Sequence, residues 1–405
     1  MSAGHGKRIY FDHGATAPML PEVVEAMSPY FSEKSGNASS IHSFGREARK
    51  AVDEGRESLA KLLNADPSEI VFTSGGTESD NLAVKGTAMH GRRADGHIIT
   101  SAVEHPAVLE PCAYLEGLGF QVTRIPVSSE ALIDPEAVRD AIRDDTVLIS
   151  IMMANSEVGT MQPVEEIGRI AKDSGIPFHT DAVQAVSKVP IDLDRLDVDL
   201  LSISSHKMHG PKGIGALFVR KGTGIDPILH GGGHEGGLRS STENVPGIAG
   251  FGKAAEIARR DMGEVSDRMR GLRDNLVKEV LDEIPNSYLN GHPTKRLAGN
   301  AHFRFDFIEG EGLVLGLDML GIATSTGSAC STGSLEPSHV LLAMGLRHEQ
   351  AHGSLRVTLG RENNHEEAGY FIDVLPGVVS KLREISPFSG HTPLGSDGGD
   401  ASVQR

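Results

Sequence analysis

The alternation of short apolar runs with amphipathic stretches between residues 69 and 219 constrains the fold of this chain more than any other feature. Seven runs rich in β-branched residues predict strands, and helical patterns over residues 106–118 and 164–173 lie between some of them. This order of elements predicts an α/β fold, with a mainly parallel sheet covered by helices on both faces. The predicted strands cover residues 69–73, 97–101, 122–127, 146–152, 176–180, 200–204 and 215–219.

The pattern changes from about Ala254 to a long charged helix, which is followed by a mixed α/β stretch as far as about Ile385. We expect two domains, because a chain of 405 residues exceeds one small core. The large domain is predicted over residues 16–260, and the smaller domain over residues 1–15 and 261–386. Residues 387–405 are rich in Gly, Ser and Asp, a composition that predicts a flexible tail.

Composition narrows the classes of function. The formal net charge, 39 basic minus 55 acidic residues, is −16, which disfavours binding to the phosphate backbone of nucleic acid. The chain has no apolar run of about 18 residues that would span a membrane, and its N-terminus lacks the apolar stretch of a signal peptide. The two cysteines, Cys112 and Cys330, are too few for a disulfide framework or a zinc site. We expect a cytoplasmic enzyme with no bound metal, no nucleic-acid partner and no membrane partner.

Lys207 follows the predicted strand 200–204 and precedes a turn rich in Gly and Pro. Open α/β sheets bind ligands at the carboxyl ends of their strands. A lysine there is partly removed from water, which makes its amine nucleophilic enough to form a Schiff base. A single lysine in a turn is more often a surface residue, so the prediction depends on the residues around it.

Two polar residues after the strand 176–180 suit a pyridine ring. An ionised Asp181 would keep a pyridine nitrogen protonated, and Gln184 would reach the neighbouring phenolic oxygen. Alone, Asp181 is better explained as a helix N-cap. The segment of Gly75, Gly76 and Thr77 opens a predicted helix, whose first N–H groups bind an anion such as a cofactor phosphate.

Two further polar residues follow strands. His105 can stack on a planar cofactor and exchange protons near neutral pH. Asn155 offers an amide to a ligand oxygen. Five polar sites therefore follow five predicted strands, and together they predict pyridoxal 5'-phosphate (PLP) as the cofactor, with Lys207 as its covalent anchor.

The order of these motifs resembles that of the class V aminotransferase-like PLP enzymes and, within them, the cysteine desulfurases. The resemblance extends from Ile9 to about Gly360. It implies PLP-dependent transferase fold type I, with a large domain around a mainly parallel seven-stranded sheet and a smaller α+β domain. One departure is Ala38, where the family usually has proline after Asn37. The matching motifs are NASSIHSFG at 37–45, SGGTESDN at 74–81, SSHKMHGPKG at 204–213, STGSACS at 325–331 and LEPS at 335–338.

The resemblance implies a role for each candidate residue. Lys207 would carry the cofactor, Asp181 would pair with its pyridine nitrogen and Gln184 with its phenolic oxygen. Arg356 would clamp the substrate carboxylate, a role that suits its two-pronged guanidinium. A homodimer is implied, because in this family a threonine from the second subunit, here Thr242, completes the phosphate site. The other residues implied to contact cofactor or substrate are Gly76, Thr77, His105, Asn155, Ser204 and His206.

Cys330 favours desulfuration over amino transfer. Its surroundings are small, polar and glycine-bearing, which predicts an exposed mobile loop. As a thiolate it would take the sulfur of L-cysteine as a persulfide, leave L-alanine, and pass the sulfur to an acceptor such as an iron–sulfur cluster scaffold. Cys112 lies on an amphipathic helical pattern and is predicted to be a core residue.

Other functions remain open. The same scaffold supports a selenocysteine lyase or an aminotransferase. A non-enzymatic binding protein with this fold is a more distant alternative, and the intact set of Lys207, Asp181, His105 and Cys330 argues against it. A nucleotide-binding protein ranks last, because the 74–77 turn has no magnesium or base-recognition motif beside it.

Overall fold

A computed structural model describes residues 8–91, 95–327 and 337–387. A seven-stranded sheet organises the larger part of the chain, in the order β2-β8-β7-β6-β5-β3-β4. The four pairings among β3 to β7 are parallel, whereas β8 runs antiparallel to both β7 and β2. The strands are β2 Ile70–Thr73, β3 His97–Ser101, β4 Gln121–Ile125, β5 Thr146–Ser150, β6 Phe178–Asp181, β7 Leu200–Ser204 and β8 Gly215–Val219.

These strands confirm the prediction of a mainly parallel seven-stranded sheet. The antiparallel direction of β8 has a simple cause. Parallel neighbours need a crossover of a dozen or more residues, usually a helix, and the connection from Ser205 to Ile214 contains only the 3-10 turn Ser205–Lys207. The chain therefore turns back beside β7, and Lys207 lies in that turn.

Helices cover the sheet, and local sequence sets several of their ends. His105 is the N-cap of α4 and Pro106 its first residue, a position where proline loses no helical hydrogen bond. Helix α2 (Ser43–Leu63) is capped by Asn64, which adopts the left-handed conformation usual after a helix (φ 52°). The helices up to residue 283 are α1 Pro21–Met27, α2 Ser43–Leu63, α3 Gly76–Ala88, α4 Pro106–Glu116, α5 Pro135–Ala141, α6 Val164–Asp173 and α7 Val245–Glu283.

A second apolar core lies around a smaller sheet of order β12-β10-β9. The N-terminal strand β1 (Ile9–Tyr10) pairs with β11 (Ile322–Ala323) beside it. The remaining elements are β9 Ser287–Leu289, β10 Asn300–Phe305, α8 Gly310–Asp318, α9 His339–Ala343, α10 His348–His352, β12 Ser354–Thr358 and α11 His365–Ile385.

Helix α7 joins the two cores. Phe251 and Ile257, in its first half, pack in the core of the large sheet, whereas Leu272 and Leu276 pack in the second core. On this basis we propose the division predicted from the sequence, 16–260 against 1–15 with 261–386. The predicted tail lies outside the described residues from 388 onward. Among the helices described, none combines the length and apolar character that crossing a membrane requires.

Candidate active site

Lys207 lies at the carboxyl edge of the central sheet, directly after β7. Its Nζ donates hydrogen bonds to the carbonyl oxygens of Gly14, at 2.6 Å, and Ala15, at 2.8 Å. The segment after β1 therefore crosses this edge of the sheet and contacts the lysine.

Asp181 is the last residue of the neighbouring strand β6 and Gln184 follows it, and both are 7% exposed. Asp181 Oδ1 accepts a hydrogen bond from the Val183 N–H at 2.8 Å. Burial raises the pKa of Asp181, while the charges of His105 and Lys207 lower it. Gln184 Nε2 donates to the Gly14 carbonyl at 2.9 Å, so Gln184 and Lys207 share one acceptor.

His105 meets the same site from the end of β3. Its Nδ1 accepts a hydrogen bond from the Ala107 N–H at 3.0 Å, so the neutral ring carries its proton on Nε2. Burial lowers the pKa of His105, and Asp181 opposes that effect. The charges of Lys207 and Asp181 thus affect the pKa of His105, and the charges of Lys207 and His105 affect the pKa of Asp181. The structure places the three side chains in one site.

The start of α3 forms the fourth side of this site. The first N–H groups of a helix have no partner within the helix, and Gly76 and Thr77 occupy that position in α3. A Cβ on Gly76 would lie 2.8 Å from Val183 Cγ2 and 3.6 Å from Ser204 Cβ. Glycine is therefore needed where the helix start approaches the turns that carry Asp181 and Lys207.

His206 lies between Ser204 and the N-terminal segment. Its Nδ1 is 3.1 Å from Thr16 Oγ1. Burial, followed by the charge of Lys207, lowers the pKa of His206 to about 4. A neutral ring has one donor nitrogen and one acceptor nitrogen. The phosphate contacts predicted for Ser204 and His206 stay predictions.

Arg356 enters the site from β12 of the smaller sheet and is 3% exposed. Its Nη2 donates to Asp12 Oδ1 at 2.9 Å, and its Nη1 to the carbonyls of Ser156, at 3.1 Å, and Gly327, at 3.3 Å. Its Nε has no acceptor among the described residues. The substrate contact predicted for Arg356 stays a prediction.

Asn155 is more fully engaged within the chain than the sequence suggested. Its Oδ1 accepts hydrogen bonds from the Glu157 and Val158 N–H groups, and its Nδ2 donates to the Val103 carbonyl. The amide therefore joins the loops after β3 and β5. The contact with cofactor or substrate predicted for Asn155 stays a prediction.

Thr242 is exposed, and two ion pairs fix the segment around it. Arg239 Nε is 2.8 Å from Glu78 Oε1 on α3, and Arg49 Nη2 on α2 is 2.7 Å from Glu243 Oε1. The role implied for Thr242 in the phosphate site of a second subunit stays a prediction.

Cys330 lies outside the described residues, so the prediction of an exposed mobile loop stays a prediction. The described residues on either side of it reach the site. The Gly327 carbonyl accepts from Arg356, and Ser338 Oγ donates to Glu157 Oε2 at 2.5 Å. Cys112 is fully buried, which confirms its prediction as a core residue.

The residues present fit PLP. A buried carboxylate suits a protonated ring nitrogen, an amide suits a phenolic oxygen, a lysine suits an aldehyde, and a helix N-terminus suits a phosphate. The spacing at Gly76 is the structural observation that supports this fit, because it lets the start of α3 and the Asp181 turn approach each other.

Sequence reasoning missed two polar residues that support the site, the buried Glu104 and the partly buried Lys188. Glu104 precedes His105, and its Oε1 accepts from Ser101 Oγ at 2.6 Å and from the Met152 N–H at 2.9 Å. Lys188 donates to Gln184. The sequence offered one signal for Lys188, because it lies four residues after the candidate site residue Gln184. That spacing places two side chains on one face of a helical turn.

Comparison with known proteins gives one consistent family. The profile of the class-V aminotransferases matches residues 9–371. The cysteine desulfurase IscS of Methanosarcina thermophila is 54% identical over 383 residues, which cover 95% of each sequence.

Two solved structures agree with that family. The structure of a NifS-like protein is 40% identical with a TM-score of 0.87, and the match covers 93% of this chain and 100% of that one. A structure described as SspA in complex with cysteine is 38% identical with a TM-score of 0.79, and the match covers 87% of this chain and 99% of that one.

Proposed function

The chain belongs to the class-V aminotransferase family, and on that premise we propose that it is a cysteine desulfurase, which converts L-cysteine to L-alanine and passes the sulfur to an acceptor. It is a PLP-dependent enzyme. The main support for the proposal is that Lys207, Asp181 and His105 lie together at one edge of the sheet. The chain is also 54% identical to a protein named as a cysteine desulfurase.

Each part of the cofactor has a matching residue. Lys207 would hold it covalently, Asp181 would pair with the ring nitrogen and Gln184 with the phenolic oxygen, while His105 would stack on the ring. When bound, PLP supplies an electron sink that makes the α-hydrogen of an amino acid acidic. The phosphate would be held by Gly76, Thr77, Ser204 and His206.

The chain's own residues then orient the substrate and move protons. Arg356 binds the substrate carboxylate, and its Nε supplies a donor that is not used by the described residues. The Lys207 amine takes the α-proton. His105 exchanges protons at Nε2, because its Nδ1 is engaged by the Ala107 N–H, and it assists proton return to the alanine product.

Cys330 performs the sulfur transfer. Its thiolate forms an S–S bond with the substrate sulfur, and the substrate C–S bond breaks with its electron pair kept on carbon. Protonation of that carbon gives alanine, and Cys330 is left as a persulfide. The bonds of Arg356 to Gly327 and of Glu157 to Ser338 support this role, since they hold both flanks of the segment near the substrate carboxylate site.

The proposed enzyme is a homodimer in which Thr242 of each chain completes the phosphate site of the other. Its exposure and the ion pairs around it support this arrangement. An iron–sulfur cluster scaffold is the sulfur acceptor that we propose.

The decisive experiment compares Cys330→Ala with Cys112→Ala after incubation with L-cysteine. We expect Cys330→Ala to keep the visible absorption of PLP and to lose sulfide release, whereas Cys112→Ala keeps both. Mass spectrometry of the wild type should find one added sulfur atom on Cys330. Undiminished turnover of cysteine by Cys330→Ala would overturn the role of this residue.

The same experiment separates the alternatives. An aminotransferase would need a keto acid to complete its cycle and would release no sulfide. A selenocysteine lyase would turn over L-selenocysteine and leave L-cysteine unchanged. A colourless purified protein that takes up no added PLP would indicate a non-enzymatic role.

A further inference from the structure

Lys188 lies beside Gln184 in the candidate cofactor site. Its Nζ donates a hydrogen bond to Gln184 Oε1 at 3.1 Å, and it lines the same cavity as Gln184 and Lys207. No role was assigned to it from the sequence, and the mechanism proposed above does not use it. It therefore needs an explanation of its own.

The backbone of Lys188 is fixed from two sides. Its N–H donates to the Ala185 carbonyl at 2.9 Å, and its carbonyl accepts from Ser266 Oγ on α7 at 2.8 Å. Ser187, immediately before it, has a φ of 67°, an uncommon conformation for a residue with a side chain. This turn directs the lysine back toward Gln184.

The surroundings of Lys188 make a positive charge costly. Burial, followed by the charges of Lys207 and Arg356, lowers the pKa of Lys188 to about 7. Lys188 in turn lowers the pKa values of His13, His206 and His209. On α7, Asp261 lines the same cavity and is paired with Arg260 and Arg361. Because these surroundings disfavour its positive charge, the presence of Lys188 is better explained by a specific contact than by its charge.

The contact with Gln184 determines how the amide is oriented. An amide has a donating nitrogen and an accepting oxygen, and the Lys188 amine donates to that oxygen. Lys188 therefore fixes the oxygen on its own side. The Gly14 carbonyl fixes the nitrogen on the other side, where Lys207 donates to the same carbonyl. The remaining N–H of Gln184 is then the hydrogen-bond donor available toward the cofactor site.

We propose that Lys188 is a positioning residue that holds the Gln184 amide with its Nε2–H toward the phenolic oxygen of the cofactor. This inference rests on the proposed function. A donor at that oxygen stabilises its anionic form. Without Lys188 only the Gly14 carbonyl orients the amide, so its Nε2–H is held less firmly toward that oxygen. The protonation equilibrium of the bound cofactor thus reports on Lys188 without any turnover.

The test is a pH titration of the visible absorption of the holoprotein, without substrate. We expect Lys188→Met to raise the midpoint by about one pH unit, a tenfold change in proton affinity. Lys188→Arg, which keeps a donor-only group, should stay close to the wild type. Lys172→Met is the matched control, because this exposed lysine pairs with Asp197 away from the site. Circular dichroism checks that each variant is folded.

A double-mutant cycle with Gln184→Ala separates positioning from a direct charge effect. If Lys188 acts through Gln184, Lys188→Met causes no further shift in the Gln184→Ala background. A shift of the same size in both backgrounds, or an unchanged midpoint in Lys188→Met, would overturn the inference and leave the proposed function intact. A wild-type protein that binds no PLP would overturn both.

Discussion

Three buried acids lie in or next to the candidate site and differ from ordinary surface carboxylates. Asp80, Glu104 and Asp181 are between 0% and 7% exposed, and burial raises the pKa of each. Glu104 reaches a pKa of about 8, mainly through burial. It is therefore largely protonated at neutral pH, while the Ser101 hydroxyl and the Met152 N–H both donate to its Oε1.

Replacing Glu104 with Gln should change how stability depends on pH. The folded pKa of Glu104, about 8, lies above the unfolded value near 4.5, so its contribution is fully present below about pH 4.5 and lost as the pH rises through about 8. Glu104→Gln keeps an accepting oxygen and never ionises. Thermal unfolding between about pH 5 and 8 should show the wild type losing on the order of a few kcal/mol relative to the variant.

The exposed Glu110 provides the control for that comparison, since Glu110→Gln removes a carboxylate from the outer face of α4. If the wild type and Glu104→Gln lost stability in parallel over this range, Glu104 would already be ionised in the folded protein.

Cys112 should be chemically silent in the folded protein. Burial raises the pKa of its thiol to about 12, and the thiolate is the form that reacts with disulfide reagents. In the Cys330→Ala variant, which has Cys112 as its remaining thiol, Ellman's reagent at about pH 8 should detect no thiol until guanidinium is added. Rapid labelling of the native variant would contradict this prediction.

At the scale of elements, the sequence predicted the strands and helices that depend on local pattern. It did not predict the strand direction that depends on the length of a connection. The strands at 97–101, 200–204 and 215–219 and the helix at 164–173 have the predicted bounds, because apolar periodicity marks them. The reversed direction of β8 depends on the length of its connection to β7. The contacts of Glu104 with Met152 and of Lys188 with Ser266 depend on tertiary packing, which no spacing in the sequence reports.

The edge strand β2 should depend on one ion pair. Glu235 accepts from Arg56 on α2 at 2.7 Å and from the Phe72 N–H of β2 at 2.8 Å, and its side chain is 5% exposed. Glu235→Ala leaves Arg56 largely buried without this partner. We expect a loss of about 2–4 kcal/mol in the free energy of unfolding, measured with urea.

The exposed pair of Arg139 and Glu136, with side chains 52% and 63% exposed, is the control for Glu235→Ala. Glu136→Ala should cost less than about 1 kcal/mol. Equal costs for the two variants would mean that the Glu235 pair does not hold β2 to α2.

At the scale of the whole molecule, the site lies where the two apolar cores meet. Lys207, Asp181 and His105 come from the central sheet, and Arg356 comes from the smaller one. The positions of the predicted strand ends indicated Lys207, Asp181 and His105 as site residues. Arg356 and Thr242 were reached through family resemblance, because placing them requires knowing how the second core, or a second chain, packs against the sheet.

The proposed dimer predicts complementation between two damaged chains. Lys207→Ala removes the covalent anchor, and Thr242→Ala weakens the phosphate site of the opposite subunit. In a symmetric dimer each chain contributes to both sites, so a heterodimer of these variants has one intact site, which combines Lys207 of the Thr242→Ala chain with Thr242 of the other. Heterodimers purified with two different affinity tags should bind one PLP per dimer as tightly as the wild type and show half its turnover. If Thr242 acts within its own chain, the heterodimer has no intact site and binds PLP no more tightly than the Thr242→Ala homodimer.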